Sequence, residues 1–369
     1  MEYVQERVTT LHDFTDPVPD APVEEAAVVV PLTEREHASL AAERVFTALE
    51  DVAPGRVVVA LRADAERVAD VDAWLGSFDL AHETLWCDGP RLGDLLADAG
   101  LNGKRGKGRD VWLALGAASD APYVAVHDAD AKTYSRGHVP RLLFPLAHGF
   151  DFSKGFYARV ENRRLYGRLF RLFYEPVVAT LAEAHDEPIL DYLGAFRYAL
   201  AGEFAATSDV VRSLRVQRGW GLEVGTLGDA FHASGFDRSA QVDLGIHEHD
   251  HRAVGGPAGL SNMSEEVGAA LFRAVEEGGV TPDYATLPDR YLEVAERFLR
   301  GYAADSAFNG LEYDRAGERE QVGAYAEAIA PPGEDDRLPA WDDAPVSTAE
   351  VREAARADLD AAREGDESR

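Results

Sequence analysis

The sequence predicts an α/β protein with a mostly parallel sheet flanked by helices and a helical C-terminal extension. Three observations lead there. The short β-branched runs at 26–30 and 57–61 lack polar alternation, as strands buried on both faces do. Helical periodicity fills the intervals between such runs. The apolar run Tyr123-Val124-Ala125-Val126 leads into Asp128-Ala129-Asp130, an acidic pair at the carboxyl end of a strand, where open α/β sheets bind their ligands.

Taken in order, residues 1–25 are acidic, contain Pro17, Pro19 and Pro22, and read as an extended arm. The run 26–30 is the first strand, with Pro31 as its end. Leu40, Val45, Phe46 and Leu49 give 34–50 a helical face, and 57–61 returns to strand. A helix at 65–78, a strand at 83–87 and a helix at 92–99 lead to a glycine-rich stretch. Residues 110–118 then read as the helix that delivers the chain to the strand before Asp128. Beyond it, 139–146 and 164–183 have helical patterns with a strand at 152–157 between them, and 241–246 reads as the last strand. Residues 264–300 and 347–363 are helical, separated by a proline-rich linker at Pro331-Pro332 and near Pro339 and Pro345. This divides the chain into an arm (1–25), an α/β domain (26–260) and an acidic helical extension (261–369). The last helix of the extension reads as solvated surface.

Of 369 residues, 66 are acidic and 37 basic, a formal charge of −29. The only lysines are Lys104, Lys107, Lys132 and Lys154, so 33 of the basic residues are arginine. Such a charge repels itself in dilute buffer and is tolerated where salt cuts the Debye length to roughly 3 Å at 1 M, which points to a cytoplasmic, soluble protein of an extreme halophile. Nucleic acid is excluded as a partner, because its backbone demands clustered positive charge. One cysteine, Cys87, leaves no internal disulfide and no cysteine-based zinc cluster. No run approaches 18 apolar residues, so an integral membrane segment is not expected.

Alternation along a strand points Asp128 and Asp130 to one side, where two hard oxygen donors can share a divalent cation; aspartates at strand ends also serve as caps. Gly103-Lys104-Arg105-Gly106-Lys107-Gly108 concentrates cations and supple backbone ahead of them, suiting a phosphate. It is not a Walker loop, since Leu101 replaces the first glycine and Gly108 follows Lys107. His247, His249 and His251 alternate after the last strand, so one imidazole could complete a metal shell or the three could form a surface cluster. Glu203 and Glu223 lie among small and apolar residues, where an acid is costly unless paired or functional. Glycines around Glu223 would admit a sugar ring, with Trp220 to pack on its face, while the bland alternative is a carboxylate capping the following helix. Arg159, Arg163, Arg164, Arg168 and Arg171 form either a solvated face or a site for an acceptor bearing phosphate and carboxylate. There is no Gly-x-Ser-x-Gly and no His-Glu-x-x-His.

From about Val28 to Met263 these segments, in order, resemble the glucosyl-3-phosphoglycerate synthases, retaining glycosyltransferases of the GT-A fold. The resemblance rests on Gly106-Lys107-Gly108 with Trp112, on Asp128-Ala129-Asp130, on 139–146 and on Lys154-Gly155-Phe156-Tyr157. It continues in Gly167-Arg168 with Pro176, Ala201-Gly202-Glu203-Phe204-Ala205, the Trp220 to Gly225 segment and Gln241-Val242-Asp243-Leu244-Gly245. It implies UDP-glucose as donor, D-3-phosphoglycerate as acceptor, a divalent cation (Mg2+ or Mn2+) and a homodimer. It places Asp130 and His249 on the metal, Asp128, Lys107 and Pro31 on the donor, Glu223 beside the transferred glucose and Gly167 and Arg168 at the acceptor. The donor half would run over 26–130 and the acceptor half over 131–260. The chain departs from the family's pattern at Leu32 to Glu36, Phe170, Arg171, Glu175 and His251. A different donor such as GDP-mannose, a polyprenyl phosphate or glycerate acceptor, and a non-catalytic sugar-nucleotide-binding relative are the alternatives.

Overall fold

The computed structural model describes residues 5–248, 250 and 257–367. Its strands are β1 (Thr9–Leu11), β2 (Ala26–Thr33), β3 (Arg56–Arg62), β4 (His82–Trp86), β5 (Tyr123–Val126), β6 (Phe152–Ala158), β7 (Val160–Glu161), β8 (Arg164–Leu165), β9 (Phe204–Thr207) and β10 (Ser239–Ile246). The helices α1 (Leu40–Val52), α2 (Val68–Leu75), α3 (Pro90–Asp98), α4 (Lys107–Ala118), α5 (His138–Ala147), α6 (Glu175–Ala182) and α7 (Pro188–Ala195) alternate with them. There follow α8 (Ser208–Ser213), α9 (Leu222–Ala233), α10 (Pro257–Glu277), α11 (Leu287–Phe308), α12 (Arg315–Ala326) and α13 (Thr348–Glu367).

The main sheet runs β1-β10-β6-β9-β5-β2-β3-β4. Only β9 is antiparallel to its neighbours, β5 and β6. The chain leaves β2 in one direction to β3 and β4 and later returns on its other side to β5, so the carboxyl ends of β2 and β5 flank a switch in strand order. That is where a crevice opens in a doubly wound sheet. The prediction of a mostly parallel sheet holds.

Four local expectations change. Pro31 does not end the first strand: it pairs with Ala60 and the ladder continues to Thr33 opposite Arg62. The first helix starts later than 34, because Ala38 adopts a left-handed φ of 52° and the Ser39 hydroxyl accepts from the Ala42 amide (3.1 Å), capping α1. Residues 164–167 are not helical. β7 and β8 form a hairpin whose two turn residues, Asn162 and Arg163, have positive φ, and a π-helical turn at Phe170–Tyr174 then leads into α6. The segment read as an arm supplies β1, which pairs with β10 at the sheet edge and buries Val8 and Thr10.

The C-terminal extension is built into the molecule, and most of the buried apolar side chains form one cluster from Val8 to Leu359. Helix α13 was expected to be solvated. It packs against β4, α2, α3 and α4 through Val351, Ala355 and Leu359. Asp358 accepts from the amides of Arg91 (3.1 Å) and Leu92 (3.0 Å), capping α3 where the N-cap position is Gly89 and has no side chain to do so. Upstream, the indole of Trp341 stacks on Trp112 at 4.1 Å, and each indole N–H donates across: Trp112 to the Pro339 carbonyl and Trp341 to the Trp112 carbonyl, both 2.8 Å. Trp341→Ala is expected to destabilise the chain by about 3 kcal/mol, the cost of emptying an aromatic site. Denaturant unfolding checks this, and a change below about 1 kcal/mol contradicts it.

Candidate active site

Three elements converge at the crevice. Beyond β5 the His127 amide still bonds the Val29 carbonyl (3.0 Å), so Asp128 leaves the sheet at a fixed point beside the end of β2. Lys107 opens α4 and Glu223 lies in the first turn of α9. The Lys107 ammonium sits 2.7 and 2.9 Å from the two oxygens of Asp128 and 3.5 Å from Glu223 Oε1. Both helices start from a glycine cap, Gly106 and Gly221, with no side chain bonded to their first amides. A helix start favours anions, so Glu223 is stabilised there, while Lys107 is held against the helix field by its two acid partners. Burial alone would depress the Lys107 pKa; Asp128 and Glu223 hold it well above its ordinary value.

The base of α4 is locked in turn. Asp110, one turn into the helix and buried, accepts from Arg62 Nε (2.8 Å) at the end of β3 and from Arg109 Nη2 (2.9 Å), and Arg109 also bonds Asp88 (2.9 Å) just beyond β4. Deep polar groups lie beneath the cluster. Glu203 is 1% exposed and neither carboxylate oxygen has a hydrogen-bond partner; burial first, then the Asp128 charge, push its pKa up to about 7. Lys154, equally buried in the middle of β6, donates to the Ala201 carbonyl, and burial pulls its pKa down to about 8. The backbone must come close here: a Cβ at Gly202 would lie 2.5 Å from Asp128 Oδ2.

Among the described residues Asp130, unlike Asp128, forms no ion pair. Its Oδ1 is buried with no partner, and burial, reinforced by Asp128, raises its pKa to about 7. Glu36 adds a further carboxylate whose pKa is raised, chiefly by burial; its Oε2 accepts from the Thr33 amide (2.6 Å) just after Pro31. An orphaned carboxylate oxygen beside a second acid is the donor set a hard divalent cation takes, so these residues fit such an ion. Among the described residues no group of three His, Cys, Asp or Glu forms a complete metal shell. His249 and His251 lie outside the described residues. Of the described residues beside them, the Asp250 amide bonds the Asp130 carbonyl (2.8 Å) and the Glu248 carbonyl accepts from the Lys132 amide (2.8 Å). His247 is buried and stacks on Tyr157 at 4.0 Å.

The other expectations divide. Trp220 is 45% exposed, free to meet a ligand, with its amide bonded to Glu266 (2.9 Å). The glycines around Glu223 serve packing instead: a Cβ at Gly221 would meet Ala270 at 2.5 Å and one at Gly225 the Gln217 side chain at 2.7 Å, so they let α10 and the 217 loop close on α9. Glu223 does not cap a helix from Thr226, because the helix already begins at Leu222. Gly167 takes φ 74° against the Tyr198 ring, and Arg168 is half exposed, its Nε 3.8 Å from Glu318. No described hydrogen bond or ion pair joins these two to the Lys107 cluster. Most of the remaining arginines are structural. Arg171 is buried against Glu318 (2.7 Å) and under Tyr302, Arg164 pairs with Glu312 (2.6 Å), and Arg163 donates to the Gly310 carbonyl (2.7 Å). Arg159 bonds the Tyr198 hydroxyl (3.2 Å) beneath Gly167.

No family model matches the chain. The glucosyl-3-phosphoglycerate synthase of Methanococcoides burtonii is 33% identical over 387 residues, covering 96% of this chain and 96% of that protein. The chain belongs to the glucosyl-3-phosphoglycerate synthase family. The synthase of Persephonella marina is 37% identical over 292 residues, 74% of this chain and 72% of its own. Among solved structures, the Mycobacterium tuberculosis synthase in complex with Mn2+, UDP and phosphoglyceric acid superposes with a TM-score of 0.56 at 24% identity, covering 75% of this chain and 88% of that one. That likeness supports the GT-A fold class. Within this synthase fold, sequence patterns did not reveal the Arg62–Asp110–Arg109–Asp88 lock or the buried role of Lys154. The rarity of lysine and the segment Lys154-Gly155-Phe156-Tyr157 marked Lys154 without showing its burial.

Proposed function

We propose that the chain transfers glucose from UDP-glucose to D-3-phosphoglycerate with retention at the anomeric carbon, giving glucosyl-3-phosphoglycerate. The observation that carries this is the convergence of Asp128, Asp130, Lys107 and Glu223 at the strand-order switch of a chain in this family. Asp130, with Asp128 beside it and His249 as the further ligand the resemblance supplies, would hold Mg2+ or Mn2+. When bound, that ion supplies a Lewis acid that neutralises charge on the departing diphosphate.

The protein's own groups do the rest. Lys107 and the open amides at the start of α4 receive diphosphate oxygens, an electrostatic contribution in a preorganised site. Pro31, two residues before the end of β2, borders the uridine, and Glu223, fixed by Lys107, orients the glucose. Gly167 and Arg168 meet the acceptor's anionic groups. On this reading 26–130 binds the donor and 131–260 the acceptor, while 261–369 braces α4 and α9. The resemblance also carries a homodimer. The acidic, arginine-rich composition supports a cytoplasmic setting at high salt, and among the described residues no helix is long and apolar enough to cross a membrane.

Proton NMR of the product formed from UDP-glucose and 3-phosphoglycerate tests the reading. An α-configured anomeric proton is expected; a β-glucoside or an unglucosylated acceptor overturns it. The metal site has a separate signature. Because Asp130 is protonated below its pKa of about 7, a cation must displace that proton, and Mn2+ affinity is expected to fall about tenfold per pH unit below 7 and to level off above it. Mn2+ titrations at pH 5.5, 6.5 and 7.5 check this; a flat profile contradicts it.

A further inference from the structure

We propose that the cavity between β4 and α13 is a second anion site that takes a phosphate group, separate from the donor cleft. The cavity measures about 460 Å³. In a chain of net charge −29, its walls gather Arg56, Arg352, Arg356 and Arg363 beside Glu83 and Asp360, with Asp72 and Asp120 pairing to these arginines from outside the lining. On α13 the three arginines recur at spacings of four and seven, which puts them on the helix face turned to β4.

The pairing within this group is incomplete. Arg352 forks onto Glu83 (2.8 and 2.7 Å), Arg363 onto Asp72 (2.9 and 2.6 Å), and Arg56 pairs with Asp120. Arg356 is exposed and has no acid partner among the described residues, although acids outnumber bases nearly two to one in the chain. Two donors on the cavity wall are also unmet: Arg56 Nε and the hydroxyl of Thr84, a residue more than nine-tenths buried. A phosphate offers several acceptor oxygens and matches guanidinium forks. It would also relieve the mutual repulsion that, after burial, depresses the Arg56 pKa through Arg352. The place is not the donor cleft. Arg56 and His82 start their strands, at the end of the sheet opposite the crevice, and β4 lies three strand spacings, about 14 Å, from β5.

Calorimetric titration of the full chain with inorganic phosphate, and separately with 3-phosphoglycerate, tests the site. Arg356→Gln removes an exposed, unpaired side chain and so leaves the fold and turnover in phosphate-free buffer intact; it is expected to weaken phosphate binding about tenfold. Thr84→Val, which keeps the shape, is expected to weaken it severalfold, while Lys107→Ala leaves this binding unchanged. Tighter binding of 3-phosphoglycerate than of phosphate, lost equally in Arg356→Gln, assigns the site to phosphorylated metabolites; equal affinities assign it to the free ion. Absence of binding to the wild type, or a loss that follows Lys107→Ala and not Arg356→Gln, overturns the proposal.

Discussion

Asp130→Ala is expected to reduce glucosyl transfer about a thousandfold while leaving the protein folded. The magnitude follows from the role: a residue that anchors charge opposite a developing diphosphate is worth on the order of 3–4 kcal/mol of barrier. Folding should survive, because the native carboxylate has an unpartnered buried oxygen and a raised pKa, the marks of a group that strains the apo protein. Between pH 3.8 and about 7 the folded state retains a proton on Asp130 that the unfolded chain has lost, so this group's contribution to stability falls as pH rises through that window. The alanine variant should therefore unfold at the same temperature or higher at pH 8 without metal. Steady-state kinetics and a melting curve check both halves; an active variant, or an inactive one that has lost its fold, contradicts the assignment.

Lys107→Ala is expected to cost about 10²- to 10³-fold in kcat/KM, expressed in both kcat and the affinity for the donor. Lys107 is the cation within reach of both Asp128 and Glu223, so its loss leaves those carboxylates, Asp130 and Glu203 facing one another with Lys154 beneath them. Lys107→Arg should recover little, since a planar fork cannot sit between two acids at the start of a helix as a compact ammonium does. UDP binding measured beside turnover separates the two effects, and a variant whose UDP affinity and kcat both match the wild type would rule Lys107 out.

Much of this is legible in the sequence. The parallel sheet announced itself in unalternating β-branched runs, and the acidic pair in its place after one of them. Lys107 stood out through the scarcity of lysine. What escaped was whatever depends on partners far along the chain. Nothing near Asp358 says that it caps α3, 266 residues earlier, and nothing near Arg171 says that Glu318 waits for it in the extension. Both look like surface charges in a sequence full of them. The same blindness misassigned the glycines flanking Glu223: their spacing suits a ligand's approach or a helix's approach equally, and only the position of Ala270 decides between them. Pro31 shows the converse, a local rule overridden because β2 keeps pairing with β3 past the proline.

On the proposed reading, one cluster of Asp128, Asp130, Lys107 and Glu223 moves glucose to a phosphorylated acceptor. The direct measurement is UDP release from UDP-glucose in molar KCl with Mn2+, with and without 3-phosphoglycerate, beside GDP-mannose and the Asp130→Ala variant. Release that requires 3-phosphoglycerate, is absent with GDP-mannose and disappears in the variant is the predicted result. Release indifferent to the acceptor, or turnover of GDP-mannose in preference, would contradict it.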